Sequence, residues 1–297
     1  MSTGKIKRSE NTYQKINTLY KRDAKNVIMP YDGFTEPEFE YLRDLKWRAE
    51  IKIDGTCMRI EVSKQGMYEV PTNNKFLAPQ CIGVTFNVEY KGKTDNAQIP
   101  PKMLKFMQDH FPEDKVLAAF GLKKEIPIEE WADHKWTFDD GVTPNYDAIP
   151  DLYTIYGEGY GCGIQKGGNY IKDGVDFRVF DVKVTCKYHK GNMKVDEIYL
   201  NTTARDEIAN KLGANIVPFY GYLTIDEAID VVRKGIVTGM WANPYLIEEG
   251  LVLRTDCGLL NRQGKRLIVK IKTEDFVKYR NVYGTDGPVE QPKNEHY

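Results

Sequence analysis

The amino-acid pattern predicts an α+β fold in which antiparallel sheets dominate and helices pack outside them. Two observations carry that expectation. Short β runs recur along the chain, with apolar residues alternating as in Met58, Ile60 and Val62. Helical segments are fewer but sharply bounded by capping residues and glycines.

The elements follow in chain order. Strands are expected at Arg48 to Ile53, Cys57 to Val62 and Val84 to Tyr90, followed by a helix over Pro101 to His110. Phe111 to Pro150 mixes tryptophan and phenylalanine with acidic residues and prolines, without a clear period, so residues 101–150 are read as an insertion or subdomain. Strands resume at Tyr153 to Tyr156 and Phe177 to Val184. Thr203 opens a helix over Ala204 to Leu212 that Gly213 closes, and Thr224 with Glu227 forms a capping box over Ile225 to Lys234, closed by Gly235. Gly250 to Thr255 and Arg266 to Lys272, separated by turn-rich sequence, predict an antiparallel hairpin. The expectation is one domain over 1–283 with a frayed polar tail at 284–297.

Composition narrows the classes. The 297 residues carry 42 Lys+Arg against 43 Asp+Glu, a formal net charge of −1, with mean hydropathy −0.53. Bulk charge therefore cannot recruit a polyanion, and any nucleic-acid partner must be met by a local basic surface. No run of about 18 apolar residues could span a bilayer, and Met1 to Glu10 lacks the apolar run of a secretory signal. Cys57, Cys81, Cys162, Cys186 and Cys257 show no CxxC spacing, which predicts reduced thiols in the cytoplasm. His110, His134, His189 and His296 are scattered, so neither a histidine-ligated metal enzyme nor a Ser-His-Asp hydrolase gains support.

The sharpest local signal is Glu50-Ile51-Lys52-Ile53-Asp54-Gly55-Thr56, a lysine at a strand end followed by an Asp-Gly turn. Four further strings follow in order. They are Tyr156-Gly157-Glu158-Gly159, Phe177-Arg178-Val179-Phe180-Asp181, Glu248-Glu249-Gly250-Leu251-Val252-Leu253-Arg254 and Leu267-Ile268-Val269-Lys270-Ile271-Lys272. Together the five resemble motifs I, III, IIIa, IV and V of the covalent nucleotidyltransferase superfamily, which includes polynucleotide ligases and RNA capping enzymes. The wording of motif I resembles that of the ATP-dependent RNA ligases, the RNA ligase 2-like and phage enzymes among them.

That resemblance implies an ATP-grasp-like ligase adenylation domain, a nucleotidyltransferase fold of antiparallel sheets flanked by helices. It implies Lys52 as the nucleophile that attacks the α-phosphate of ATP. An amine can do so only when unprotonated, and free lysine titrates near 10.4, so its surroundings must favour the neutral form. Lys270 and Lys272 are the expected source of positive charge. Being two apart on a strand they share a face, while Val269 and Ile271 point to the core. Glu249 is expected to bind the catalytic Mg2+ or Mn2+, and Glu158 the ribose or a metal, since hard divalent ions take oxygen ligands.

Other positions complete the expected nucleotide site. Phe177, four residues before Asp181, is assigned to stack on adenine. Glu50, Ile51, Asp54 and Gly55 line the motif I turn, with Asp54 assigned to nick sealing and Gly55 to the tight turn. The closely spaced Gly157, Gly159 and Gly161 are read as allowing the backbone to approach a ligand. Arg59 is expected to face a nucleotide or solvent. Lys93 stands where the related proteins carry an arginine, and it cannot make arginine's bidentate fork.

RNA is the expected substrate because only 25 residues follow Lys272, too few for an OB-fold of roughly 80 to 100 residues. Room for the helical C-terminal domain of RNA ligase 2-like proteins is also absent. Grip on RNA is then expected from 101–150 or from the basic segment Lys5 to Lys25, with Trp131 and Trp136 read as packing residues. The implied partners are ATP and RNA ends bearing a 5′-phosphate and a 3′-hydroxyl, handled by a monomer, and a virus-encoded repair enzyme is compatible with the resemblance. The rivals are a minimal DNA ligase, another adenylyltransferase, and a non-catalytic nucleic-acid-binding module.

Overall fold

The structure is a computed structural model and describes residues 12–69, 80–137, 140–165, 170–188 and 194–284. The elements in chain order are β1 (Asn17–Thr18), α1 (Glu38–Tyr41), β2 (Trp47–Lys52), β3 (Thr56–Glu69), β4 (Gln80–Gly92), α2 (Pro101–His110), α3 (Glu113–Ala119) and β5 (Glu125–Pro127). They continue with β6 (Leu152–Gly161), β7 (Val175–Tyr188), β8 (Lys194–Tyr199), α4 (Thr202–Leu212), β9 (Asn215–Ile216) and β10 (Phe219–Leu223). The last four are α5 (Ile225–Lys234), β11 (Gly250–Arg254), β12 (Ile268–Lys272) and α6 (Thr273–Tyr283). This is the α+β architecture, rich in antiparallel pairing, that the sequence predicts. Within the span expected as one domain, 1–283, the chain packs as two compact units built from interleaved segments.

The first unit holds Thr56–Gly159 and Val175–Ile216. Its sheet runs β5-β4-β3-β6-β7-β8, with β9 pairing β7. Alternation in β3 buries Met58, Ile60 and Val62 as expected, but Arg59 and Glu61 on the opposite face are buried too. The segment 101–150 is built into this unit: β5 extends the sheet as a partner of β4, and α2 and α3 bury Met103, Met107, Val116 and Leu117. Trp131 and Trp136 are buried, in keeping with a packing role.

The second unit holds Gln14–Gly55, Tyr160–Gly174 and residues from Val217 onward. Its five-stranded sheet runs β1-β12-β11-β2-β10, and β11 with β12 forms the predicted antiparallel hairpin. One face is apolar. Ala49, Ile51, Leu251, Leu253, Val269 and Ile271 are buried there, and α5 contributes Ile225, Ala228 and Val232 to the core. Burying each such large side chain is worth about 1.5–3 kcal/mol, which fixes the strand register and therefore which residues occupy the opposite face. That opposite face carries Arg48, Glu50, Lys52, Arg254, Lys270 and Lys272.

The helix boundaries follow local chemistry. The Thr224–Glu227 capping box on α5 is present in both directions. For α4 the cap is Asn201, earlier in the chain than Thr203, because its side chain accepts from the Ala204 N–H; Gly213 ends the helix at φ 67°. The tail beyond 284 and Lys5 to Asn11 lie outside the described residues.

Candidate active site

Lys52 is the last residue of β2, held in the middle of its sheet with β11 on one side and β10 on the other. Its cross-strand partner on β11 is Gly250, which is also the partner of Lys272 on β12. Gly250 has φ +150°, and a Cβ there would run into the Ile271 carbonyl, so this crossing point admits only glycine. The residue before it, Glu249, is thereby set between the two lysines. Lys52 Nζ donates to Glu249 Oε2 at 2.6 Å, and Lys272 Nζ lies 2.9 Å from Glu249 Oε1. Lys272 also pairs with Glu274 at 2.6 Å.

Lys270 lies two residues from Lys272 on the same face and makes no ion pair among the described residues. Burial, then the positive charges of Lys52 and Lys272, lowers its ammonium pKa. For Lys272, burial acts downward, but hydrogen bonds to Glu274 and Glu249 outweigh it and the net shift is upward. Three lysines around Glu249 and Glu274 leave a local positive charge on a chain whose overall charge is nearly balanced. Such a cluster suits a polyanionic ligand such as a triphosphate.

The turn after Lys52 is buttressed from below. The Asp54 N–H donates to Tyr170 Oη at 2.9 Å. Tyr170 packs edge-on against Trp241, with ring centroids 4.8 Å apart. Trp241 Nε1 donates to Glu248 Oε1 at 2.6 Å, and Thr238 Oγ1 donates to the same oxygen at 2.7 Å. Glu248 is 1% exposed, its Oε2 is buried without a hydrogen-bond partner among the described residues, and burial raises its carboxyl above the usual carboxylate range. Tyr170, Trp241 and Glu248 are site-supporting residues that sequence reasoning did not assign. The Glu-Glu pair before Gly250 was the one available hint.

Two motif I residues are engaged in structure. Glu50 is buried between Arg48 Nε at 3.0 Å and Arg254 Nε at 3.2 Å. Ile51 points into the core, and its N–H donates to the Pro218 carbonyl at 2.9 Å. Neither side chain stands open to a nucleotide here. Arg254 is accounted for by the same Glu50 pairing.

The remaining expected residues fall in the first unit. Glu158 on β6 is the cross-strand partner of Cys57 on β3. Burial and then Glu158 push the Cys57 thiol up to about 12, with Lys93 and Arg59 acting against them, so these four side chains share one electrostatic neighbourhood. Arg59 faces neither nucleotide nor solvent: it is fully buried, with Nε 3.1 Å from Glu61 Oε1 and a second ion pair to Asp95. An unpaired guanidinium at that depth would be too costly. Lys93 is exposed.

Phe177 is 0% exposed and meets Phe111 at 5.7 Å between centroids. Its ring lies against Gly157, where a Cβ would collide with it, while Gly159 makes room for Met103 and Met58. Gly157 and Gly159, expected to admit a ligand, thus admit neighbouring side chains.

Among curated proteins, none matches the chain. Solved structures of the Naegleria gruberi RNA ligase are similar at low identity. A variant with ATP and Mn is 14% identical with TM-score 0.47, covering 92% of this chain and 60% of that one. A structure with PPi is 16% identical with TM-score 0.44, covering 93% and 63%, and a variant with AMP and Mn is 15% identical with TM-score 0.44, also covering 93% and 63%. The present chain spans about 60% of the length of these relatives. The family model for RNA ligase matches residues 45–272, which runs from the start of β2 to the end of β12 and takes in all five motifs, and the chain belongs to the RNA ligase family.

Proposed function

We propose that this protein is an ATP-dependent RNA ligase that works through a lysyl-AMP intermediate. The observation that carries the reading is the Lys52–Glu249–Lys272 arrangement at one end of a sheet in a chain of the RNA ligase family. In the first step Lys52 Nζ forms a bond to the α-phosphorus of ATP while the bond to pyrophosphate breaks. Glu249, 2.6 Å away, holds Nζ in place; as an ion-pair partner it favours the charged amine, so the neutral form that attacks depends on the opposing charges of Lys270 and Lys272, the amine's proton passing to solvent. Lys270 and Lys272 offset the charge that grows on the phosphate oxygens. The adenylate then passes to a 5′-phosphate RNA end, and an adjacent 3′-hydroxyl displaces AMP to seal the strand.

A divalent cation fits the side chains present. Among the described residues no three Asp, Glu, His or Cys groups gather into a metal cage. Mg2+ needs only one or two protein carboxylates when phosphate oxygens supply other ligands, and Mn2+ resembles it in taking oxygen donors. Glu249 would hold such an ion, and the ion would neutralise the triphosphate. Five free cysteines accord with a reducing compartment, and we place the activity in the cytoplasm with a monomeric enzyme. Among the described residues no helix is long and apolar enough to cross a membrane.

Incubation with ATP, Mg2+ and nicked RNA or nicked DNA duplexes, side by side, tests the reading. Sealing of RNA is expected. Sealing of DNA alone would shift the assignment to a DNA ligase, and failure to take up AMP would leave only a nucleic-acid-binding module.

A further inference from the structure

On the sheet that carries Lys52, the edge strand β10 presents three large rings to solvent, Phe219, Tyr220 and Tyr222, of which Phe219 and Tyr222 meet each other. Phe219 is 45% exposed and Tyr222 is 50% exposed, with centroids 5.2 Å apart and planes at 65°. Edge strands are usually blunted by charge or covered, and exposed apolar rings there call for a partner. In register, Phe219 opposes Glu50 and Tyr222 opposes Arg48, so both rings extend the same face that ends, two residues past Glu50, in Lys52.

The polar groups around the rings are already engaged. Tyr222 Oη donates to Asp256 Oδ2 at 2.6 Å, which fixes its ring. Arg48 is tied to Glu50 at 3.0 Å and places its Cζ 4.6 Å over the Phe219 ring. What is left to a ligand is the ring surface that Arg48 and the neighbouring ring do not cover. Aromatic faces and arginine planes are the surfaces on which unpaired nucleobases stack, at about 1–3 kcal/mol per base, whatever the base.

We infer that Phe219 and Tyr222 form a stacking platform for an unpaired nucleobase of the RNA strand, on the face that leads to Lys52. The continuity of that face with the lysine cluster favours a polynucleotide over a protein partner, because its backbone would run from neutral rings to net positive charge. This inference rests on the RNA ligase reading but concerns where the strand is gripped.

The test uses the full chain with Phe219→Ala, Tyr222→Ala and the double variant. Three readouts are taken: AMP uptake from labelled ATP, affinity for single-stranded RNA, and the fluorescence of a 2-aminopurine placed in that RNA. AMP uptake should stay within about twofold of wild type, RNA affinity should fall about tenfold or more in the double variant, and Phe219→Trp should retain binding. Binding to wild type should quench 2-aminopurine, and the alanine variants should relieve the quenching. Unchanged RNA affinity and unchanged quenching would overturn the platform. So would a wild-type dimer that the variants split, since the rings would then be a contact between copies. Absence of AMP uptake by wild type would instead count against the ligase reading, and the RNA-binding arm stands apart from it.

Discussion

Glu249 Oε2 sits 2.6 Å from Lys52 Nζ because Gly250, the next residue, occupies the crossing point between β2 and β12. The same carboxylate reaches Lys272 with its other oxygen at 2.9 Å. One acidic group thus sets the spacing of two lysines that would otherwise repel. Glu249→Ala should lower the rate of AMP uptake by about 100-fold while leaving the fold intact, read by single-turnover label transfer and by circular dichroism. Glu249→Gln should fall between, since it keeps a hydrogen-bonding oxygen but not the charge.

Gly250→Ala should damage the fold itself. An added methyl meets the Ile271 carbonyl, and φ +150° is a conformation other residues avoid. A loss of about 1–3 kcal/mol in urea unfolding is expected, with AMP uptake falling in parallel.

Tyr170→Phe removes the acceptor of the Asp54 N–H without emptying the space beside Trp241. The net cost in stability should be only about 0.5–1.5 kcal/mol. The rate of AMP uptake should drop further, by about tenfold, because the turn behind Lys52 loses its anchor. The informative comparison is kcat, which should fall, against KM for ATP, which should stay nearly constant.

Glu248 gives a pH signature. Its carboxyl is raised by burial, so between the ordinary glutamate value near 4.3 and the raised value the folded protein holds a proton that the unfolded chain has lost. The stability it contributes is therefore complete below about 4.3 and is lost as pH climbs through the raised value. Glu248→Gln cannot ionise. Its stability relative to wild type should be flat at low pH and rise as pH climbs through that window, measured by denaturation across a pH series.

Phe177→Ala should cost about 3–5 kcal/mol, as expected for emptying a fully packed aromatic site. The measurement is chemical denaturation in the absence of nucleotide, where any contribution from base stacking drops out.

The period-two pattern made most of the sheet legible. β2, β3, β11 and β12 each bury alternate apolar residues, so their faces, and the pairing of Lys270 with Lys272 on one of them, could be read directly. β10 escaped because a bulge between Phe219 and Gly221 breaks its alternation and its rings are exposed. α6 escaped because it follows β12 without a side-chain cap, Lys272 standing at its N-terminus. Within the site, the five motif strings located the lysines and Glu249. The pairing of Arg59 with Asp95 and the support of Asp54 by Tyr170 join residues far apart in sequence, and no local pattern announces them. The Gly157–Glu158–Gly159 string shows the converse limit: glycines that read as room for a ligand were room for Phe177, Met103 and Met58.

The nucleophilic role of Lys52 is tested most directly by charging the protein with α-labelled ATP and Mg2+, digesting it, and mapping the labelled peptide. The label should sit on Lys52 as an acid-labile phosphoramidate, and Lys52→Ala should carry none. Label recovered on Lys270, Lys272 or any other residue would contradict the account.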